Sequence, residues 1–89
     1  MKVEYLPSFL KDLKTLKSTS RYSTIRKLVF EEVPRCSSLQ EMRNLKKLRD
    51  SDNAYRFRVG DYRIGFFFEN ERVIFARVLH RNEIYRSFP

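Results

Sequence analysis

Tyr55-Arg56-Phe57-Arg58-Val59-Gly60-Asp61-Tyr62-Arg63-Ile64-Gly65-Phe66-Phe67-Phe68 is the stretch that decides the fold. From Tyr55 to Val59 apolar and cationic residues alternate, which puts Tyr55, Phe57 and Val59 on one face of a strand and Arg56 and Arg58 on the other. Gly60-Asp61 is a two-residue turn with glycine first, the arrangement of a type II′ hairpin. Counting outward from that turn predicts the register: Val59 opposite Tyr62, Arg58 opposite Arg63, Phe57 opposite Ile64 and Arg56 opposite Gly65. Directly opposed residues share a face of the sheet. Arg56, Arg58 and Arg63 therefore project from one side, beside a bare patch at Gly65. Like charges set opposite each other are destabilising, so the arrangement points to a bound anion, and guanidinium forks suit phosphate. A solvated strand face is the alternative use of the same residues.

Working outward, Ile64 to Phe68 is almost wholly apolar and reads as a central strand covered over much of both faces. Glu69 to Arg72 turns the chain, and Val73 to Leu79 is another apolar strand, interrupted by Arg77. Whether Arg77 joins the Arg63 face depends on the parity of that turn, which residue order leaves open. His80-Arg81-Asn82 leaves the strand, and Glu83 to Arg86 forms a short terminal turn. Upstream, Asp50 to Asn53 is a turn, Leu45 to Arg49 a strand or the approach to one, and Ser38 with Glu41 a capping box that starts a helical turn over 39–42. Lys2 to Leu6 alternates as an opening strand. Pro7 and Ser8 then begin a helix whose apolar stripe is Phe9, Leu10, Leu13 and Leu16. A second helix runs from Tyr22 to Val33, where Pro34 stops it. This order predicts a single α+β domain over 1–89. An N-terminal strand and a helical hairpin pack on a small twisted antiparallel sheet, and the arginines occupy the concave face away from the helices.

A formal charge of +8 on 89 residues favours a polyanionic partner: nucleic acid, an acidic protein or a membrane surface. The positives are spread along the chain, which excludes a basic tail. Cys36 stands alone, so no internal disulfide forms, which suits a reducing cytosol; we expect a bystander thiol. No apolar run approaches the roughly 20 residues of a membrane span, and Met1 to Pro7 lacks the apolar region of a signal peptide. We expect a soluble, cytoplasmic protein that does not engage a membrane.

His80, Arg81 and Tyr85 follow the last strand and are expected to fold over the arginine face. The sequence holds no carboxylate pair, no Cys/His spacing for zinc and no glycine-rich phosphate loop, so we expect neither metal nor cofactor. Cationic donors beside groups able to move protons match RNA cleavage by the neighbouring 2′-hydroxyl. Guanidinium would stabilise the charge gathering on the phosphorane, and proton transfer would fall to His80 or Tyr85. Singly, His80 could cap or pack at the sheet edge, Tyr85 could anchor the terminus and Arg81 could pair with Glu83.

Val59-Gly60-Asp61-Tyr62-Arg63-Ile64, the apolar strand after it, and His80-Arg81-Asn82-Glu83-Ile84-Tyr85 resemble the RelE/ParE superfamily of bacterial type II toxin–antitoxin toxins. The similarity covers nearly the whole chain and implies a RelE-like fold. It divides in function: RelE-like members cleave mRNA in the ribosomal A site without a metal, whereas ParE-like members poison DNA gyrase and lack the full catalytic set. This chain is more similar to the first group. Arg56 and Arg58 stand where RelE-like nucleases place two cationic strand residues, commonly lysines; Arg63 matches the Tyr-Arg motif; Arg81 and Tyr85 match an arginine and a tyrosine near the C-terminus. The resemblance implies a ribosome-dependent mRNA endoribonuclease, with a non-enzymatic gyrase inhibitor as the alternative. Its catalytic residues would be Arg63, Arg81, Tyr85 and His80, and its phosphate-binding residues Arg56, Arg58, Arg77, Lys46 and Lys47. Implied partners are a cognate antitoxin, acidic where it wraps the toxin, and the ribosome with its mRNA; the toxin alone would be monomeric.

Overall fold

A computed structural model describes Met1–Pro89. In chain order the elements are β1 (Lys2–Tyr5), α1 (Pro7–Thr15), α2 (Tyr22–Lys27), a π-helical turn (Leu28–Glu32), α3 (Val33–Arg35), a 3-10 turn (Leu39–Glu41), β2 (Leu45–Lys47), β3 (Ala54–Val59), β4 (Tyr62–Glu69), β5 (Arg72–His80) and α4 (Arg81–Ser87). The five strands make one sheet in the order β1-β5-β4-β3-β2. The β3–β4 hairpin takes the register counted from its turn, with Arg58 opposite Arg63 and Arg56 opposite Gly65. Gly60 has φ 59°, the left-handed conformation that a glycine-first turn requires.

Two features depart from the expected antiparallel meander. The opening strand β1 pairs in parallel with β5, Tyr5 opposite Phe75, so the sheet is mixed. Where β1 ends, α1 takes over the open edge of β5. Leu6 N donates to Phe75 O (2.9 Å), Ser8 Oγ to Ala76 O (2.7 Å), and Asp12 Oδ2 accepts from Val78 N (3.1 Å). The second departure is a bulge. The β4–β5 turn contains two residues, Asn70 and Glu71, with Glu69 opposite Arg72. An unbroken ladder would set Arg77 against Ile64, but Phe66 pairs with Phe75 while Gly65 pairs with Arg77. Ala76 is the extra residue, and the shift returns Val78 to the side that Ile64 faces.

That side carries the main core. Phe9 and Leu13 of α1 and Ile25, Val29 and Val33 of the second helical segment bury against Phe57, Ile64, Phe66, Val73, Phe75 and Val78. The second helical segment does not end before Pro34 as its sequence suggests; it continues to Arg35. Proline removes the bond to the carbonyl four residues back and crowds it. The π-helical turn just upstream, in which Val33 N reaches Leu28 O, lengthens the spacing there and lets proline stay in the helix. At the 3-10 turn Glu41 accepts from Ser37 N and Ser38 N, the reach-back of a capping box.

A second, smaller core lies on the opposite side, where Ala54 and Ala76 meet Ile84 and Phe88 of the C-terminal segment. Gly65 is essential to this contact. A Cβ there would lie 2.5 Å from Phe88 Cδ2, so the Phe88 ring rests directly on the glycine backbone. The bare patch expected beside the arginines is therefore filled by the protein itself.

Candidate functional site

The register places Lys46 opposite Arg56 and Arg58 opposite Arg63, so four cationic side chains share one face across three neighbouring strands. With Asn44, Phe57 and Tyr85 they line a groove of about 270 Å³ that has no carboxylate in its wall. Arg63 Nη1 donates to the carbonyls of Gly60 (2.9 Å) and Tyr62 (3.0 Å), which holds the guanidinium at the hairpin turn. Tyr85 reaches the groove from α4, and the packing of Phe88 on Gly65 sets where α4 lies. Tyr85 is 67% exposed, and Arg56 Cζ sits 4.5 Å from the ring centre in a cation–π contact. An aromatic wall thus stands beside a cluster of cations, of which Arg63 is held by hydrogen bonds and Arg56 by the ring, suited to a phosphate and to charge that builds on its oxygens.

Arg81 opens α4 at the rim. Its backbone N donates to Asp61 O (2.7 Å), and its Nε lies 4.0 Å from Asp61 Oδ1, so α4 is tied to the same turn that holds Arg63. The side chain is 58% exposed and does not line the groove.

Three residues expected in the site are placed elsewhere. His80 pairs directly with Tyr62, which alternates with Arg63 and so faces the helices. The imidazole stands edge-on to the Tyr62 ring at 5.7 Å, and its Nδ1 accepts from Asn82 N (3.2 Å) as the cap of α4. Arg77 is bound internally: Nε to Asp12 Oδ2 at 2.6 Å and Nη2 to Asp12 Oδ1 at 3.0 Å. That hydrogen bond holds its guanidinium above the ordinary value, with burial opposing it. Lys47 is opposite Tyr55, one step out of phase with Lys46, and so points to the other face.

Two residues in and beside the groove are not marked by the sequence. Asn44 takes φ 59° just before β2, its carbonyl accepts from Arg58 N (3.2 Å), and its side chain lines the groove. Left-handed asparagine ahead of a strand is common turn chemistry, and nothing local marks it as part of a site. Arg49, after β2, lines an adjoining hollow. No three His, Cys, Asp or Glu side chains gather anywhere in the chain as metal ligands would, and no helix is long and apolar enough to cross a membrane. Burial and the neighbouring Glu41 push the Cys36 thiol up, away from the reactive thiolate.

The family model described as the ParE toxin of the type II toxin–antitoxin system parDE matches residues 3–85. Toxin RelE3 of Methanocaldococcus jannaschii is 42% identical over 90 residues, covering the whole of both chains. Among solved structures, a chain of the RelB–RelE antitoxin–toxin complex from Methanococcus jannaschii superimposes with a TM-score of 0.78 at 38% identity, over 97% of this chain and 99% of that one. A chain of the RelBE2 toxin–antitoxin complex from Mycobacterium tuberculosis shares the fold with a TM-score of 0.67 at 24% identity, over 90% of this chain and 96% of that one.

Proposed function

This chain belongs to the ParE toxin family of type II toxin–antitoxin systems and is a RelE-like toxin, and from that premise we propose that it is a metal-independent endoribonuclease acting on mRNA in the ribosomal A site. The observation that carries the reading is the meeting of Lys46, Arg56, Arg58, Arg63 and Tyr85 in one groove. In the reaction the substrate's 2′-hydroxyl attacks the adjacent phosphorus and gives up its proton. The bond to the 5′ oxygen breaks, that oxygen takes a proton, and a 2′,3′-cyclic phosphate remains. The arginines neutralise charge on the non-bridging oxygens, with Arg81 arriving from the rim. With His80 turned to the other side of the sheet, Tyr85 and Lys46 are the titratable groups of the groove that are not guanidinium, and proton transfer falls to them.

The proposed partner is a cognate antitoxin, as in the RelB–RelE complex of the archaeal relative. An acidic segment laid along the groove would neutralise part of the +8 charge and occupy the phosphate site. The same field draws the free toxin to ribosomal RNA.

The test is to add purified protein to programmed ribosomes and map mRNA ends by primer extension. Discrete A-site cuts are expected. Arg63→Ala should lower the rate about 10²–10³-fold, as when one stabiliser of developing charge is removed. Tyr85→Phe should lower it about 10²-fold or more. Intact mRNA would overturn the proposal. Gyrase inhibition in its place would support the gyrase-directed reading that the ParE name of the matching family model favours.

A further inference from the structure

The Arg56–Tyr85 stack is a partition as well as a wall. Lys46, Arg56 and Tyr85 line the phosphate groove on one side and a second hollow of about 430 Å³ on the other. The second hollow is different in character. Leu48 and the buried Phe88 add apolar surface, and Asp50 brings in a carboxylate. Lys46, Arg49 and Arg56 keep the lining cationic, but Asp50 sets a hydrogen-bond acceptor among them, which the phosphate groove lacks. A flat, apolar ring with polar edges fits such a lining.

We propose that this hollow is a nucleobase site, that it takes the base next to the phosphate held in the groove, and that Asp50 makes it prefer guanine. The inference rests on the reading of the groove as a nucleic-acid site. Tyr85 is largely exposed although one face of its ring is engaged by Arg56, which leaves ring surface on which a base can stack. The chain's ion pairs join Arg72 to Glu4, Arg77 to Asp12 and Arg81 to Asp61, so Asp50 is not committed to a cation of the protein. A carboxylate only accepts hydrogen bonds. Guanine alone offers it two adjacent donors on one edge, the ring N1–H and the 2-amino group. Adenine and cytosine set an amino group beside a ring nitrogen acceptor, and uracil sets its one N–H between two carbonyls. A matched two-bond contact should discriminate roughly tenfold, which is about 1.4 kcal/mol.

The test uses the purified full chain and 5′-fluorescent hexaribonucleotides with 2′-O-methyl groups, which block 2′-hydroxyl attack. The probes are the all-uridine strand and three versions with guanine, adenine or cytosine at the third position. Binding is followed by anisotropy at several salt concentrations. The guanine strand should bind about tenfold more tightly than the all-uridine strand. Asp50→Ala, at an exposed turn position, should abolish that preference while retaining all-uridine binding and its salt slope. Equal affinity for all four strands, or a guanine preference that survives Asp50→Ala, would overturn the inference. If no strand binds, or Arg63→Ala leaves binding unchanged, the nucleic-acid reading of the groove falls with it. All-uridine binding that is weakened by Arg63→Ala but shows no guanine preference overturns the base site alone.

Discussion

Gly65→Ala tests whether the placement of Tyr85 depends on a single missing methyl group. The added Cβ would lie 2.5 Å from Phe88 Cδ2, 2.6 Å from Cγ and 2.8 Å from Cε2. Ordinary carbon contacts fall near 3.5–4.0 Å, so the ring must withdraw by about 1 Å. It has little room, being 4% exposed, packed with Ala54, Ala76 and Ile84, and 5.0 Å from the Phe67 ring centre. Overpacking of this kind costs about 1–3 kcal/mol, and alanine recovers about 0.5–1 kcal/mol over glycine within a strand. The net destabilisation should be about 1–2 kcal/mol, a fall in Tm of about 5–15 °C for a chain of this length. A double-mutant cycle in urea isolates the cause. Phe88→Ala alone should cost about 3–5 kcal/mol, but with the ring gone Gly65→Ala should become neutral or stabilising. Phe88→Leu should shift the sign the same way if the alanine variant is too weakly folded to measure. Ribosomal cleavage by Gly65→Ala should fall as α4 moves Tyr85 off Arg56. Equal destabilisation by Gly65→Ala with and without Phe88 would refute the reasoning.

Asp12→Asn should cost about 2–3 kcal/mol by urea unfolding, below the cost of breaking a fully buried pair because the Arg77 side chain is 30% exposed; a change under about 0.5 kcal/mol would contradict the role given to Asp12 at the β5 edge. Tyr5 donates to Val29 O (2.7 Å), and burial raises its phenol above the ordinary value of 10.0. Its contribution is therefore full below pH 10 and lost as pH climbs through the raised value, so Tyr5→Phe should cost about 1 kcal/mol at pH 7 and progressively less above pH 10, and a gap that widens in alkali would reverse the sign. Lys46→Ala should weaken RNA binding and lower the salt slope by about one, whereas Lys47→Ala should leave the slope unchanged; equal effects would place both on one face, against the register. His80→Ala should cost about 1 kcal/mol as a lost helix cap and leave cleavage within a few-fold, where loss of a general acid or base would cost about 10²–10⁴-fold.

The parts of this protein legible in its residue order are those that depend on neighbours in sequence. Alternation over Tyr55–Val59 and a two-residue turn at Gly60-Asp61 suffice to set Arg56, Arg58 and Arg63 on one face, because parity propagates without error along an uninterrupted ladder. The helical stripes, the capping box at Ser38–Glu41 and the turn at Asp50–Asn53 are equally local. What only the tertiary structure decides lies beyond the first interruption. The unpaired Ala76 changes the parity of β5, so the even β4–β5 turn does not assign Arg77 or His80 to a face. Arg77 is withdrawn by Asp12, 65 positions away in sequence, and the parallel pairing of β1 with β5 joins strands from opposite ends of the chain. Phe88 covers Gly65 for the same reason: the C-terminal segment folds back over the sheet. Alternation and turn length constrain only residues joined by an unbroken ladder, whereas a bulge, a buried ion pair and a ring seated on a glycine arise when distant segments are packed against each other.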